Sequence, residues 1–358
     1  MTRSVHIIGS RASGGAERFY ARLVSALHQR GEAVLAVCPP GSAVAQELDR
    51  SGAPVQPLAM RSVWDLAARW RIGRIVRDFD ADIVQTYMGR ATRLTHLPRG
   101  RRPVHVARLG GYYDLKGYRH AHAWVGNTRG ICDYLLEHGL PTERVFHIGN
   151  FVDPPAPVPA DRIERLRAQM GIPSDALVVT SAGRLHPNKG FPDLLEAFAR
   201  LPRDIDGRAV HLVIAGDGPL ADALKAQGET LGLDGRLHWA GWQTDLAPYY
   251  GLGDLFVCPS RHEPLGNVIL EAWNHEAPLL STRSLGAEEL ITDGDNGRLV
   301  PVQDPSALAG AMEELLSARP AVRAALAERG RATVAAHHSR EAVVDGYLAM
   351  SATLLGPL

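Results

Sequence analysis

Leu177-Val-Val-Thr-Ser181-Ala-Gly183-Arg184-Leu-His-Pro-Asn-Lys189-Gly190 runs directly into Phe191-Pro192-Asp-Leu-Leu-Glu-Ala-Phe-Ala-Arg200. A short apolar run, a glycine-bounded polar loop and an amphipathic stretch, in that order, read as strand, turn and helix. The strand covers Leu177–Ser181 and the helix Pro192–Arg200. Downstream the rhythm repeats, with strands at Val210–Ala215, Arg236–Trp239 and Leu255–Cys258 and a helix over Leu220–Leu231. Upstream, Val5–Ile8, Ala33–Cys38, Asp82–Thr86 and Val104–Leu109 have the continuous apolar character of buried parallel strands. Glu17–Gln29 and Trp64–Phe79 carry apolar residues at helical spacing between them. Strand and helix alternating throughout mean a doubly wound α/β architecture.

That architecture comes in two copies. A chain of 358 residues exceeds the usual size of one hydrophobic core. The alternation pauses at Asn150-Phe-Val-Asp-Pro-Pro-Ala-Pro-Val-Pro159, where four prolines within six residues continue neither a helix nor a central strand. We therefore expect Rossmann-like domains over 1–150 and 151–338, with their strands' carboxyl ends facing a central cleft. Helical stretches near 305–317, 320–336 and 339–355 close the chain.

Composition narrows the function. Apolar residues make up 45% and charged residues 22%, a globular profile. Net charge is zero, yet residues 1–150 hold 21 Lys+Arg against 12 Asp+Glu, so the first domain carries +9 and the remainder −9. The basic half is expected to face something anionic. No basic motif is interleaved with aromatics, which argues against nucleic acid. The arginines around Trp64–Phe79, with Trp64 and Trp70, leave two readings. One is peripheral contact with an anionic membrane. The other is a core-packed helix, with Leu66, Ile72, Ile75, Val76 and Phe79 inside. Cys38, Cys132 and Cys258 make no pair motif, which favours a reducing cytoplasm. The run Met1–Gly9 is too short for a signal peptide, and no stretch approaches the roughly 20 apolar residues of a membrane span.

Chemistry concentrates in loops between strand and helix. Gly9-Ser-Arg-Ala-Ser-Gly14-Gly15-Ala-Glu-Arg18 would let the backbone approach an anionic or sugar ligand, or would simply be a tight turn. Its spacing is not G-x-G-x-x-G, and the next strand ends in Cys38-Pro-Pro without an acid for a ribose. Both points argue against a dinucleotide-dependent dehydrogenase, and no P-loop motif occurs. In the second domain, Arg184 and Lys189 share one loop. Arg184 would act as a fork and Lys189 as a point charge on a diphosphate. With 36 Arg and three Lys in the chain, a lysine here runs against the composition. A solvated basic turn is the alternative. Next comes Pro259-Ser-Arg-His-Glu263-Pro-Leu-Gly266-Asn267-Val268-Ile-Leu-Glu271. Gly266–Val268 should open a helix whose N–H groups meet phosphate, with Glu263 before it and Glu271 inside it. Taken alone, both glutamates read equally well as helix-dipole and surface charges. Gly216-Asp217-Gly218-Pro219 and Trp239-Ala-Gly241-Trp242 are turns that either close a nucleotide pocket or are purely structural.

Together these residues resemble the family 4 retaining glycosyltransferases, which carry a Gly-Gly loop, a G-R-x-x-x-x-K-G loop, a G-x-G-P turn and an E-x7-E pair. Here they stand as Gly14-Gly15, Gly183-Arg184…Lys189-Gly190, Gly216–Pro219 and Glu263…Glu271, in the family's order over nearly the whole chain. The resemblance implies a GT-B fold and a hexosyltransferase-type reaction. Its donor would be a nucleoside-diphosphate sugar such as a UDP-sugar, and its acceptor a cell-envelope glycan or lipid-linked saccharide. It implies retention at the anomeric carbon, no cofactor and no metal. It also implies a last helix, about 339–358, that crosses back onto the first domain. Arg184 and Lys189 would hold the diphosphate and, with Glu263, do the catalytic work. Glu263 would take sugar hydroxyls and Glu271 the ribose. Gly14, Gly15, Gly183, Gly216, Gly218, Gly266, Asn267 and Val268 would complete the donor site.

One departure stands out. Many members carry a His just after a first-domain strand, but here that place falls around Leu109–Gly111. His105 lies at the strand's start and is expected to be structural, and His96, His120 and His122 to be surface residues. Arg108, Tyr112 and Asp114 become the acceptor candidates. A nucleotide-sugar epimerase, a phosphorylase or a non-catalytic sugar-nucleotide-binding subunit are the rival readings.

Overall fold

A computed structural model of the chain describes residues 2–12, 14–100 and 102–356. It divides into two compact units: Met1–Phe151 with Arg340–Leu358, and Val152–Ser339. The last two residues of the expected 339–358 segment lie outside the described residues.

The first unit alternates from its start. Its elements are β1 (Arg3–Ile8), α1 (Gly15–Gln29), β2 (Ala33–Cys38), α2 (Ala43–Ser51), β3 (Val55–Pro57) and α3 (Leu66–Asp78). There follow β4 (Ile83–Tyr87), α4 (Met88–Leu94), β5 (Val104–Leu109), β6 (Ala123–Gly126), α5 (Arg129–Glu137) and β7 (Val145–His147). The sheet order is β3-β2-β1-β4-β5-β6-β7, and every pairing is parallel. Strand order reverses between β1 and β4, the point at which a doubly wound sheet opens a crevice at its carboxyl edge.

The second unit holds α6 (Ala160–Gln169), β8 (Leu177–Ala182), α7 (Phe191–Arg200), β9 (Asp204–Ile205), β10 (Arg208–Ala215), α8 (Ala221–Thr230) and β11 (Leu237–Gly241). It continues with α9 (Ala247–Leu252), β12 (Leu255–Cys258), α10 (Asn267–Asn274), β13 (Leu279–Thr282), α11 (Leu285–Leu290), β14 (Arg298–Val300), α12 (Pro305–Ser317) and α13 (Pro320–Thr333). The order β11-β10-β8-β12-β13-β14 repeats the first sheet's logic, with β9 antiparallel on β10. Its reversal lies between β8 and β12. Those two strands feed the Arg184–Lys189 loop and the Glu263 loop respectively, so topology alone brings the loops side by side.

The last helix, α14 (Arg340–Leu355), belongs to the first unit. Val343, Val344, Tyr347 and Met350 enter the same core as Ile8, Tyr20 and Leu27. Helix α3 packs through Ala68, Ile72 and Val76 against Val5, Ile7 and Val84, with Ile75 and Phe79 half-buried beside them. Leu66 does not join that core and is 75% exposed. In a helix, Leu66 and Trp70 stand one turn apart on the side away from the Ala68–Ile72–Val76 stripe, so the expected core role of Leu66 is corrected. Among the described residues no helix is long and apolar enough to cross a membrane.

Candidate active site

The second unit builds its site from backbone contacts between loops. Asn188 O accepts from Arg261 N at 2.9 Å and His262 N at 3.1 Å, which ties the loop after β8 to the loop after β12. Gly190 makes this approach feasible. Its φ is +65°, and a Cβ there would lie 1.9 Å from Pro259 O. Arg261 then grips Asp193, near the start of α7, through both carboxylate oxygens at 2.7 and 2.5 Å. A bidentate fork of this kind fixes orientation as well as distance.

The consequence is an ion pair between Lys189 Nζ and Glu263 Oε2. Both side chains are mostly covered, so the pair is shielded from water more than a surface bridge. Arg184, by contrast, is exposed and has no hydrogen bond or ion pair among the described residues. The expected joint action of Arg184 and Lys189 thus starts from unequal positions: one cation is already balanced by Glu263, the other is not.

The remaining loops lock onto this centre. Gly183 N donates to Ala215 O at 3.0 Å and Leu185 N to Asp217 O at 2.9 Å. A Cβ on Gly216 would sit 1.9 Å from Gly183 O, so the Gly216–Pro219 turn has a packing reason for its first glycine. Gly218 likewise abuts Leu185. Gly286 N donates to Glu263 O at 2.8 Å, holding the glutamate's backbone from the β13 side. Gly266 caps α10 without a side-chain bond, and Asn267 and Val268 form the helix's half-buried first turn. Glu271 accepts from the Tyr250 hydroxyl at 3.1 Å. Tyr250 is buried and stacks on His275, and burial beside Glu271 pushes its phenol well above the usual range, so it remains a donor. Tyr250, Arg261 and Asp193 escaped the sequence reading, since nothing in an apolar helix or a basic loop marks a partner so far along the chain.

In the first unit the carboxyl edge of the sheet carries Gly14 as the N-cap of α1, again without a side-chain cap, and Gly15 as its first residue. Glu17, two residues on, is 5% exposed, a buried acid in the helix's first turn that no sequence motif marks. Arg90 Nη1 donates to Gly9 O at 3.2 Å and to Met60 O at 3.1 Å, so the loops after β1 and β3 are fastened together.

The acceptor candidates separate. Arg108 is 5% exposed, lies 3.7 Å over the Phe19 ring and donates to Asn150 Oδ1 at 2.8 Å. Burial lowers its guanidinium to about 10. It is a core cation bracing α1 against β5, with little of its side chain exposed for an acceptor to reach. Tyr112 is 42% exposed and meets Tyr134 edge-on. Asp114 is exposed and caps a short turn by accepting from Lys116 N at 3.0 Å. His105 is fully buried, with Nε2 2.9 Å from Thr86 Oγ1. His120 and His122 are only half-exposed and bond the backbone at Thr92, Thr95 and Leu97, while His96 stacks on His120 at 4.2 Å. His120 and His122 thus hold loops together rather than standing free at the surface, while His96 is exposed as expected. Among the described residues no group of three or more His, Cys, Asp or Glu is arranged to hold a metal.

Comparison with known proteins decides the family. Residues 13–155 match the family described as Glycosyltransferase Family 4, and residues 176–318 match Glycosyl transferases group 1. The lipopolysaccharide core biosynthesis glycosyltransferase LpsE of Rhizobium meliloti is 36% identical over 95% of this chain and 96% of its own length. The chain is a family 4 glycosyltransferase. A second R. meliloti protein, the lipopolysaccharide core biosynthesis glycosyltransferase LpsD, is 32% identical over 94% of each chain. The glycosyltransferase from Rickettsia africae superposes with a TM-score of 0.87 over 100% of this chain and 99% of its own, at 20% identity. That likeness gives this glycosyltransferase its fold, GT-B, built from two Rossmann-like units.

Proposed function

We propose that this glycosyltransferase moves a sugar from a nucleoside diphosphate, with retention at the anomeric carbon, onto a lipopolysaccharide-core-type saccharide. The likeness to LpsE and LpsD along almost the full length supports the acceptor class. The observation that carries the donor assignment is the clasped pair of loops: Asn188 bound to Arg261 and His262, with Lys189 on Glu263 and the uncapped α10 terminus following in sequence.

Departure of a nucleoside diphosphate builds negative charge on the bridging oxygens. Arg184, Lys189 and the N–H groups opening α10 would take that charge without reorganising. Glu263 would hold hydroxyls of the transferred sugar, and its pairing with Lys189 would couple sugar to diphosphate. Glu271, oriented by Tyr250, would hold the ribose. Tyr112 and Asp114 would face the acceptor, in the unit that also carries the Gly14-Gly15 loop. No metal and no cofactor enter this scheme. The work would be done in the cytoplasm at the membrane's inner face, and three buried cysteines outside any disulfide suit a reducing compartment. No observation favours an epimerase, a phosphorylase or a non-catalytic subunit.

The test is a thermal-shift screen of nucleoside-diphosphate sugars, UDP-sugars first. It is followed by transfer to a truncated core oligosaccharide and assignment of the new linkage by NMR. A single stabilising donor and a product keeping the donor's anomeric configuration are expected. An inverted product would refute retention, and donor turnover that needs no acceptor would refute transfer.

A further inference from the structure

Trp64, Leu66 and Trp70 are 85%, 75% and 62% exposed, three large apolar side chains within seven residues of one surface. Their neighbours are cationic. Arg61, Arg69, Arg71, Arg74 and Arg77 are all exposed around the same segment. Of the nearby acids, Asp65 is occupied in capping α3, accepting from Ala68 N and Arg61 N, and Asp78 pairs with Arg74.

The spacing orders this surface. Leu66, Trp70 and Arg74 stand at i, i+4 and i+8, and Arg77 falls on the same side of the helix. That side opposes the Ala68–Ile72–Val76 stripe already packed on the sheet. One face of α3 therefore serves the fold, while the other shows an apolar tip at its N-terminal end and guanidinium groups along its length. A helix with Trp and Leu at one end and arginines behind suits the boundary between acyl chains and anionic headgroups. Trp favours that boundary because its ring is apolar while its N–H stays wet.

Location gives the surface a purpose. All strands of the first unit's sheet are parallel, so the segments after β1, β3 and β5 emerge at the same edge. Arg90 fastens the segment after β3 to the Gly9 loop. Trp64 and the start of α3 therefore lie on the edge that also carries Gly14 and Tyr112.

We propose that Trp64, Leu66 and Trp70, ringed by the α3 arginines, form the docking surface on which the enzyme rests on an anionic lipid bilayer, bringing its acceptor edge to a lipid-borne saccharide. The surface rests on the glycosyltransferase reading above only for its purpose, since lipid binding can be measured without turnover.

The experiment is co-sedimentation of the full chain with vesicles of neutral phosphatidylcholine, or of phosphatidylcholine containing phosphatidylglycerol. The wild type should pellet with the anionic vesicles at low salt and be released at high salt, and should ignore the neutral ones. A Trp64→Ser, Leu66→Ser, Trp70→Ser variant keeps every charge and should lose binding at least tenfold, with an unchanged melting temperature. An Arg69→Gln, Arg71→Gln, Arg74→Gln variant should lose it to a similar degree. Transfer to a delipidated, soluble acceptor should be the same in the apolar variant and the wild type. Wild type left in the supernatant with anionic vesicles at low salt overturns the proposal, as does an apolar variant that binds undiminished. So does a wild-type dimer that the apolar variant dissolves with no vesicle binding, since the face would then be an interface between copies. Vesicle binding without any sugar transfer would instead remove the functional reading and leave the docking surface standing.

Discussion

The hydroxyl of Tyr347 lies 3.2 Å from Nε2 of His6, joining the last helix to the first strand across 341 residues of sequence. Both side chains are buried. Gln85 donates to the Tyr87 hydroxyl at 2.7 Å, and that hydroxyl lies 2.9 Å from His6 Nδ1. Ser4 Oγ also lies 3.2 Å from Nε2. Removing the hydroxyl in Tyr347→Phe leaves a buried imidazole short of one partner and should cost about 1–2 kcal/mol, read as a lower urea midpoint for the first unit.

The same histidine makes the fold acid-sensitive. Burial lowers His6 from 6.5 to about 3, and His105 also lies well below its ordinary value. Between pH 6.5 and 3 the unfolded chain binds protons that the folded chain refuses, so stability is complete above pH 6.5 and falls as pH drops. Melting temperature should therefore decline steadily from pH 7 to pH 4. The slope should be shallower in His6→Asn. An identical slope would mean that His6 titrates alike in the folded and unfolded chains.

Legibility in the sequence followed element length and local signals. Buried strands such as Ala33–Cys38, Val104–Leu109 and Leu255–Cys258 stand out as apolar runs, whereas the four-residue Ala123–Gly126 and Leu279–Thr282 were not expected despite being buried. The three-residue strands Val55–Pro57, Val145–His147 and Arg298–Val300 do not stand out, because no periodicity fits in so short a segment. Helices α2 and α5 were not expected, although each has a side-chain cap: Ser42 accepts from Ala45 N and Thr128 from Ile131 N. At the site, Arg184, Lys189 and Glu263 were visible because unusual residues in strand-to-helix loops carry chemistry. Arg261–Asp193 was invisible because the pair exists only once β8 and β12 lie side by side, and Tyr250–Glu271 because it needs α9 and α10 packed together across β12. The burial of Arg108 was not legible because charge on a strand end normally means exposure, whereas here Phe19 and Asn150 take it inside.

Arg184 and Lys189 should differ in effect. Arg184→Ala removes the exposed, unpartnered cation and should weaken nucleoside diphosphate binding by 1.5–3 kcal/mol, about 10–150-fold. Calorimetry of the folded variant checks this. Arg184→Lys should recover little, since a point charge lacks the fork. The double alanine variant should abolish donor binding, and unchanged affinity would end the diphosphate assignment.

Gly190 tests whether the loop clasp is a folding or a functional device. Gly190→Ala puts a methyl on Pro259 O and must part the two loops, at a cost of about 2 kcal/mol or more. Gly207→Ala is the control, since Gly207 has φ +74° with nothing within 4 Å of its Cβ position, so only the backbone preference of about 1 kcal/mol applies. Donor affinity should fall in the first variant and not in the second. Equal loss in both would show that the clasp does not shape the donor site.

The two glutamates should part company, and the structure says in which direction. Glu263 is paired with Lys189, so Glu263→Gln removes the charge that occupies the ammonium and leaves Lys189 to a bound phosphate alone. Affinity for the free nucleoside diphosphate should then hold or rise. Turnover of the sugar donor should fall on the order of 100-fold, because the group meant for sugar hydroxyls has lost its charge. Glu271 is held by Tyr250 instead, away from any cation pair among the described residues. Glu271→Gln should weaken nucleotide and nucleotide sugar alike, since both carry the ribose. Tyr250→Phe should reproduce a milder form of that loss by leaving the carboxylate unoriented, by about 1 kcal/mol. Affinities for the free nucleotide and for its sugar, measured side by side, separate these outcomes. If Glu263→Gln and Glu271→Gln weaken the free nucleotide equally, the division between sugar and ribose is wrong, and the Lys189–Glu263 pair is a brace between two loops.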